Sequence, residues 1–196
     1  MLAFLLSLAV VALAAEPLQG FDVALDAQPS YYSLVGTTPR ELSKASAVSG
    51  VRDQADGTKG AGGTVSELAA RFSKEKRDEG CVLIAAKVTV TVRQRLPRWD
   101  SAETGTEEAR DWWRRFSAAI QEHEDGHKRI DEDSGQALLD AIKSVPPQPT
   151  CDALDARVND EIARAQADQD ARNAEYDSRT HHGKTQYARY FAPPKS

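Results

Sequence analysis

His123, Glu124 and His127 stand in the order H-E-x-x-H within the run Gln121 to Ile130. On a helix, residues four apart share one face, so two imidazoles at this spacing can turn to a single metal ion. Glu124 then lies beside them, where a carboxylate can take a proton from a metal-bound water. The chain has only four histidines, and the other two, His181 and His182, form a second cluster near the C-terminus. Two ligands leave a zinc site incomplete. A catalytic zinc usually has three protein ligands and keeps the fourth position for water. The third is sought in the second histidine cluster or in a carboxylate such as Asp177, Asp131 or Glu132. The extended metzincin signature is excluded, because Ile130 and Asp133 occupy the positions of its glycine and third histidine.

These residues need long helices to position them. The first is expected to begin between Ser101 and Glu107 and to end about Ser144, before Val145-Pro146-Pro147. Its apolar stripe runs Trp112, Phe116, Ile120, His123, His127, Ile130, Leu138 and Ile142, so both histidines sit in the buried stripe. The second helix is expected over Asp152 to Tyr176, with Leu154, Val158, Ile162 and Ala165 on its apolar face. A short linker makes the two helices antiparallel neighbours. His123 precedes Ser144 by 21 residues. That is roughly 32 Å of helix at 1.5 Å per residue. The same count from Cys151 reaches Arg172. The end of the second helix is thus level with H-E-x-x-H, and residues 177–183 can fold back toward it. Gly126 and Asp125 are poor helix formers, and a helix weakened there suits close backbone approach or access for water.

Upstream, Phe21–Leu25 and Tyr31–Gly36 read as short strands. Thr38, Pro39 and Glu41 form a capping box with proline at the first helical position, and the helix they start should stop at Gly50. Residues 52–64 read as a glycine-rich loop. Weak alternation from Val65 through Phe72 leads to a turn at Asp78-Glu79-Gly80. Beyond Cys81, Val82, Ile84, Ala86, Val88, Val90 and Val92 alternate with polar residues, as in an antiparallel hairpin buried on one face. The expected fold is α+β: a small antiparallel sheet packed with helices, including a long C-terminal helical hairpin that carries H-E-x-x-H.

Met1–Ala15 is an uncharged apolar run ending Ala12-Leu13-Ala14, which reads as an export signal. It is too short to cross a bilayer comfortably, so no stable membrane span is expected after its removal. Residues 16–196 are then a single domain. Export places the chain outside the cytoplasm or in the periplasm, where the two cysteines, Cys81 and Cys151, most simply form a disulfide. The net charge of −5 argues against nucleic acid as partner and against strongly anionic substrates.

Four segments carry a resemblance: Tyr31 to Pro39, the strand from Cys81 to Trp99, His123 to His127, and Tyr176-Asp-Ser-Arg-Thr-His-His-Gly183. Together they resemble a group of bacterial secreted proteins expected to be zincin-like, zinc-dependent proteases but described mainly as a domain of unknown function. The last segment is similar to that family's Tyr-Asp-x-x-Thr-x-His-Gly element, which places the element's histidine at His182. The resemblance therefore makes His182 the leading third metal ligand and His181 the runner-up. After Gly183 the chain departs from the family's pattern, with Tyr187, Tyr190 and Phe191 in place of small residues.

The expected activity is hydrolysis of a peptide or protein substrate, with Zn2+ as cofactor and Glu124 as general base. The alternative is a non-catalytic exported module in which a closed metal site pins the helical hairpin. Asp131, four residues after His127, is a candidate to orient that imidazole. Tyr176 and Tyr187 are candidate oxyanion donors, with packing the stronger reading for both. Trp99, Trp112 and Trp113 read as core.

Overall fold

A computed structural model describes residues 18–52 and 57–191. The export signal read at Met1–Ala15 lies outside the described residues. Among those described, no helix is long and apolar enough to cross a membrane.

The element order is β1 (Phe21–Leu34), α1 (Pro39–Ser49), β2 (Val51–Arg52), β3 (Lys59–Gly60), β4 (Gly63–Arg77), β5 (Gly80–Trp99), α2 (Glu107–Lys143), α3 (Cys151–Thr180) and α4 (Lys184–Tyr190). A 3₁₀ turn, Ala102–Thr104, precedes α2. The fold is α+β, with a three-stranded sheet in the order β1-β5-β4 and a two-stranded ribbon, β2-β3. β4 and β5 form the expected antiparallel hairpin across the turn at Asp78 and Glu79.

The sheet is nevertheless mixed, because β1 runs parallel to β5. A parallel neighbour needs a crossover connection, and α1 with the β2-β3 ribbon lies between β1 and the hairpin. The two short strands read at Phe21 and Tyr31 are also one strand that passes through Pro29. Proline is tolerated there because β1 is an edge strand with only one neighbour to bond.

Val88, Val90 and Val92 are fully buried on the face that α2 covers. A bulge breaks the alternation where Ser73 pairs with Ala85 but Lys74 pairs with Leu83, which leaves Ile84 exposed. The apolar core divides in two. One cluster joins these valines to Leu138, Leu139 and Ile142 of α2 and to Leu154 and Val158 of α3. The other gathers Leu34, Leu42, Leu96, Trp99 and Phe116, with Trp112 and Trp113 packed against it. Each fully buried aliphatic or aromatic side chain contributes about 1.5–3 kcal/mol.

Local signals act as the residues dictate. Thr38 accepts from Glu41 N, and the Glu41 side chain returns to the backbone of Thr38, with Pro39 at the first helical position. Thr106 and Thr150 cap α2 and α3 by accepting from Ala109 N and Ala153 N, without the reciprocal bond. Cys81 and Cys151 form a disulfide with Cα atoms 5.1 Å apart, beside a two-residue bridge between Cys81 and Gln148. This bond fits an oxidising compartment.

Candidate metal centre

Both motif histidines lie on the buried face of α2, and α3 runs antiparallel along it. The apolar stripe of α3, Leu154, Val158, Ile162 and Ala165, continues at the same spacing as Gln169, Asn173, Asp177 and Thr180. These polar residues therefore face His123, His127 and Asp131 across the hairpin. Asp177 Oδ1 lies 3.2 Å from His123 Nε2 and 3.1 Å from His127 Nε2. The donor atoms of His123, His127 and Asp177 all lie within 4.8 Å of one another. A tetrahedral zinc with bonds of about 2.0–2.1 Å separates its ligand atoms by about 3.4 Å, so this donor set fits such an ion.

The far side of each imidazole is also held. His127 Nδ1 donates to Asn173 Oδ1 at 2.8 Å, and Asn173 Nδ2 donates in turn to Asp131 Oδ1 at 2.9 Å. Gln169 Nε2 donates to the same oxygen at 2.8 Å, and Asp131 is fully buried. Asp131 thus orients His127 through Asn173, as partners beyond the ligands commonly do in metal sites. His123 Nδ1 lies 3.5 Å from Thr180 Oγ1, whose own proton goes to Tyr176 O. Both Nε2 atoms are left to face Asp177. Burial disfavours the charged form of His127, but the acceptors Asp177 and Asn173 outweigh it and push the imidazole up to about 8. Burial likewise opposes the charge of Asp177. Hydrogen bonds from His123 and His127 prevail and hold it well below the usual carboxylate range.

Glu124 is only 3% exposed, and Thr64 at the start of β4 donates to its Oε2 at 2.7 Å. Burial raises its pKa against the opposing pull of Thr64 and the two histidines, which makes it a stronger proton acceptor than a surface glutamate. Gly62 packs directly against this carboxylate, and Tyr32 Oη anchors the same loop by donating to Ala61 O at 2.6 Å.

Tyr176 explains the glycine inside the motif. Its ring stacks on His123 with centroids 5.2 Å apart and meets His127 edge-on at 5.0 Å. A Cβ at position 126 would overlap the Tyr176 hydroxyl, so only glycine lets α3 approach this closely. That hydroxyl also accepts from Gln186 Nε2 at 3.0 Å. Tyr176 therefore wedges the two histidines, while Tyr187 lines the cleft.

The chain leaves α3 through three consecutive left-handed residues, His181, His182 and Gly183, with φ of 52°, 51° and 80°. This turn lays Gly183 over the ring of His123. His182 lines the cleft with Nδ1 3.8 Å from Asp177 Oδ1, but both it and His181 are exposed and lie outside the donor group, in which Asp177 is the third member. Glu132 is also outside that group and pairs with Lys128. The residues after Gly183 form α4, which docks on α2 by setting Tyr187 edge-on to Phe116, while Phe191, stacked on Tyr187, reaches Trp112.

The cluster opens into a cleft of about 1210 Å³, lined by His123, Glu124, His127 and Asp177 together with the Gly60–Thr64 segment. Thr64 and Asn173 carry no motif of their own. The polar continuation of the α3 stripe is the signal that points to Asn173 and Asp177. No curated protein and no solved structure matches the chain. The family model described as "Bacterial protein of unknown function (DUF922)" matches residues 29–183, most of the chain, and the protein belongs to that family.

Proposed function

We propose that the protein is an exported zinc-dependent hydrolase that cleaves peptide bonds. The observation that carries this reading is the convergence of two Nε2 atoms on Asp177 in an open cleft, beside a buried glutamate. His123, His127 and Asp177 would hold the metal. Zinc bound there supplies a Lewis acid that polarises a carbonyl and acidifies a water. Glu124 takes the proton from the attacking water, and its burial keeps that proton available for the leaving amine. Thr64 fixes the carboxylate through Oε2, so proton transfer proceeds at the other oxygen. Asn173 and Thr180 keep both imidazoles in the tautomer that presents Nε2.

The position of His182 favours one competing reading. His182 lies outside the donor group, but with Nδ1 3.8 Å from Asp177 a rotation toward the two motif histidines would complete a closed four-ligand site that would serve structure alone. Metal analysis of His123→Ala, His127→Ala, Asp177→Ala and His182→Ala separates the two. Loss of zinc in the first three and retention in His182→Ala is expected. Full occupancy in His123→Ala and Asp177→Ala would sink the metal site altogether. Equal loss in all four would favour the closed module. Glu124→Gln should keep zinc and lower hydrolysis of a mixed peptide library by about 10²–10⁴-fold. Undiminished turnover would remove Glu124 from the chemistry.

A further inference from the structure

The net charge of −5 is not spread evenly. Apart from Glu124, Asp131 and Asp177, which belong to the centre and its support, the cleft is lined by one carboxylate, Asp170. Five cations line it: Arg52, Lys59, Arg93, Arg95 and Lys184. Three of these are occupied. Arg93 pairs with Asp26, and Arg52 and Lys59 bond the backbone carbonyls of Gly57 and Val48. Arg95 and Lys184 have no carboxylate partner among the described residues. Arg95 follows Gln94 in β5 and so leaves the other face of the sheet, where its guanidinium lies 5.8 Å from the centroid of the Tyr32 ring.

A second, independent feature has the same polarity. Gln94 lines the cleft and is 8% exposed, and its Nε2 has no hydrogen-bond acceptor. A buried N–H without a partner costs free energy until something accepts from it. Gln94 pairs with Thr64 in the β4–β5 register, and Thr64 bonds Glu124. The unpaired donor is thus two links from the proposed base. Lys184 also lines the cleft, next in the chain to Gly183 and His182.

We infer that the cleft selects peptides that carry carboxylate side chains close to the bond that is cut. Lys184 would meet a carboxylate beside the centre and Arg95 one further along the peptide, where β4 begins and the sheet edge opens, while Gln94 would donate to the peptide. The inference rests on the cleft being a substrate cleft, as proposed above, and adds the class of substrate. It also reverses, for this cleft, what the acidic chain as a whole suggests. Charges lining a cleft act on what enters it more strongly than the distant net charge does.

The test is a binding measurement, independent of turnover, on the full exported chain carrying Glu124→Gln with zinc supplied. Fluorescence anisotropy would compare labelled Ala/Glu, Ala/Gln and Ala/Lys repeat peptides of equal length. The Ala/Glu peptide should bind about tenfold tighter than Ala/Gln at low salt, with the advantage shrinking as salt rises. Arg95→Gln with Lys184→Gln, both at exposed positions, should abolish the preference. Equal affinity for the Glu and Gln peptides, or a preference that survives the double substitution, would overturn the inference. So would tighter binding of an oligonucleotide of equal charge. A Glu preference in a protein whose wild type hydrolyses nothing would keep the carboxylate preference of the cleft and sink the hydrolase reading. Hydrolysis without charge preference would do the reverse.

Discussion

The two ends of the α2–α3 hairpin are closed by different kinds of bond. At the linker end, Leu138, Leu139 and Ile142 meet Leu154 and Val158 over the valines of β5, and Cys81–Cys151 ties α3 to the sheet. At the far end, His123, His127 and Asp131 meet Gln169, Asn173, Asp177 and Thr180 through side-chain hydrogen bonds. A buried aliphatic side chain contributes about 1.5–3 kcal/mol, whereas a hydrogen bond contributes a net of about 0.5–1.5 kcal/mol. Apolar burial is concentrated at one end and buried ionisable groups at the other. The polar end keeps ionisable groups buried at a cost that the apolar end offsets, a division expected where local rules yield to a functional site.

The largest test of this contrast removes the covalent tie. Cys81→Ser with Cys151→Ser should lower unfolding stability by about 3–5 kcal/mol in denaturant, since the bond closes a loop spanning 70 residues. Zinc affinity, measured by competition with a chelating dye, should change much less. Parallel collapse of both would show that the two ends are one unit. A smaller effect is expected at the polar end from Gly126→Ala. Forcing Tyr176 off the motif should cost about 1–3 kcal/mol by overpacking. It should also weaken zinc binding, because the same ring wedges His123 and His127. Unchanged affinity would deny Tyr176 that role.

The smallest effect concerns pH in the metal-free protein. His127 is raised from 6.5 to about 8, so its stabilising contribution is complete below the lower value and is lost as pH rises through the higher one. A shift of this size in a mostly buried group corresponds to about 1–2 kcal/mol. Asp177 has the opposite sign. Its carboxyl is depressed, and its contribution is lost only when acid carries the pH below the usual carboxylate range. Thermal midpoints of the chelated protein should therefore fall between about pH 6 and about pH 9, and added zinc should raise them most at the alkaline end, where imidazoles are free of protons. A zinc increment that shrinks with rising pH would argue against histidine ligands.

Much of this was legible in the chain because the signals are local. Thr38, Pro39 and Glu41 cap a helix by contacts within four residues, and H-E-x-x-H faces inward because Phe116 and Ile120 set the stripe. Matching residue counts along α2 and α3 placed Tyr176 level with the motif, and in the fold it touches both histidines. What was not legible depends on rotation and on crossover. Asp177 is one of many acidic residues until the turning of α3 about its axis selects the face that continues Leu154 and Val158. The parallel seat of β1 follows from how α1 and the β2-β3 ribbon cross the sheet, which no residue within β1 encodes. Thr64 looked like the end of a glycine-rich loop, and only pairing with β5 brings it under Glu124.

The disulfide also works as the pivot of a lever. Asp177 lies 26 residues along α3 from Cys151, an arm of about 39 Å at the helical rise. On an arm of that length, one degree of tilt about the tie carries the carboxylate by about 0.7 Å, several times the roughly 0.2 Å tolerance of a metal–ligand bond. The tie fixes where the helix starts and cannot aim its tip. Aim is set close to the tip, where Asn173 and Gln169, about one and two turns before Asp177, both grip Asp131.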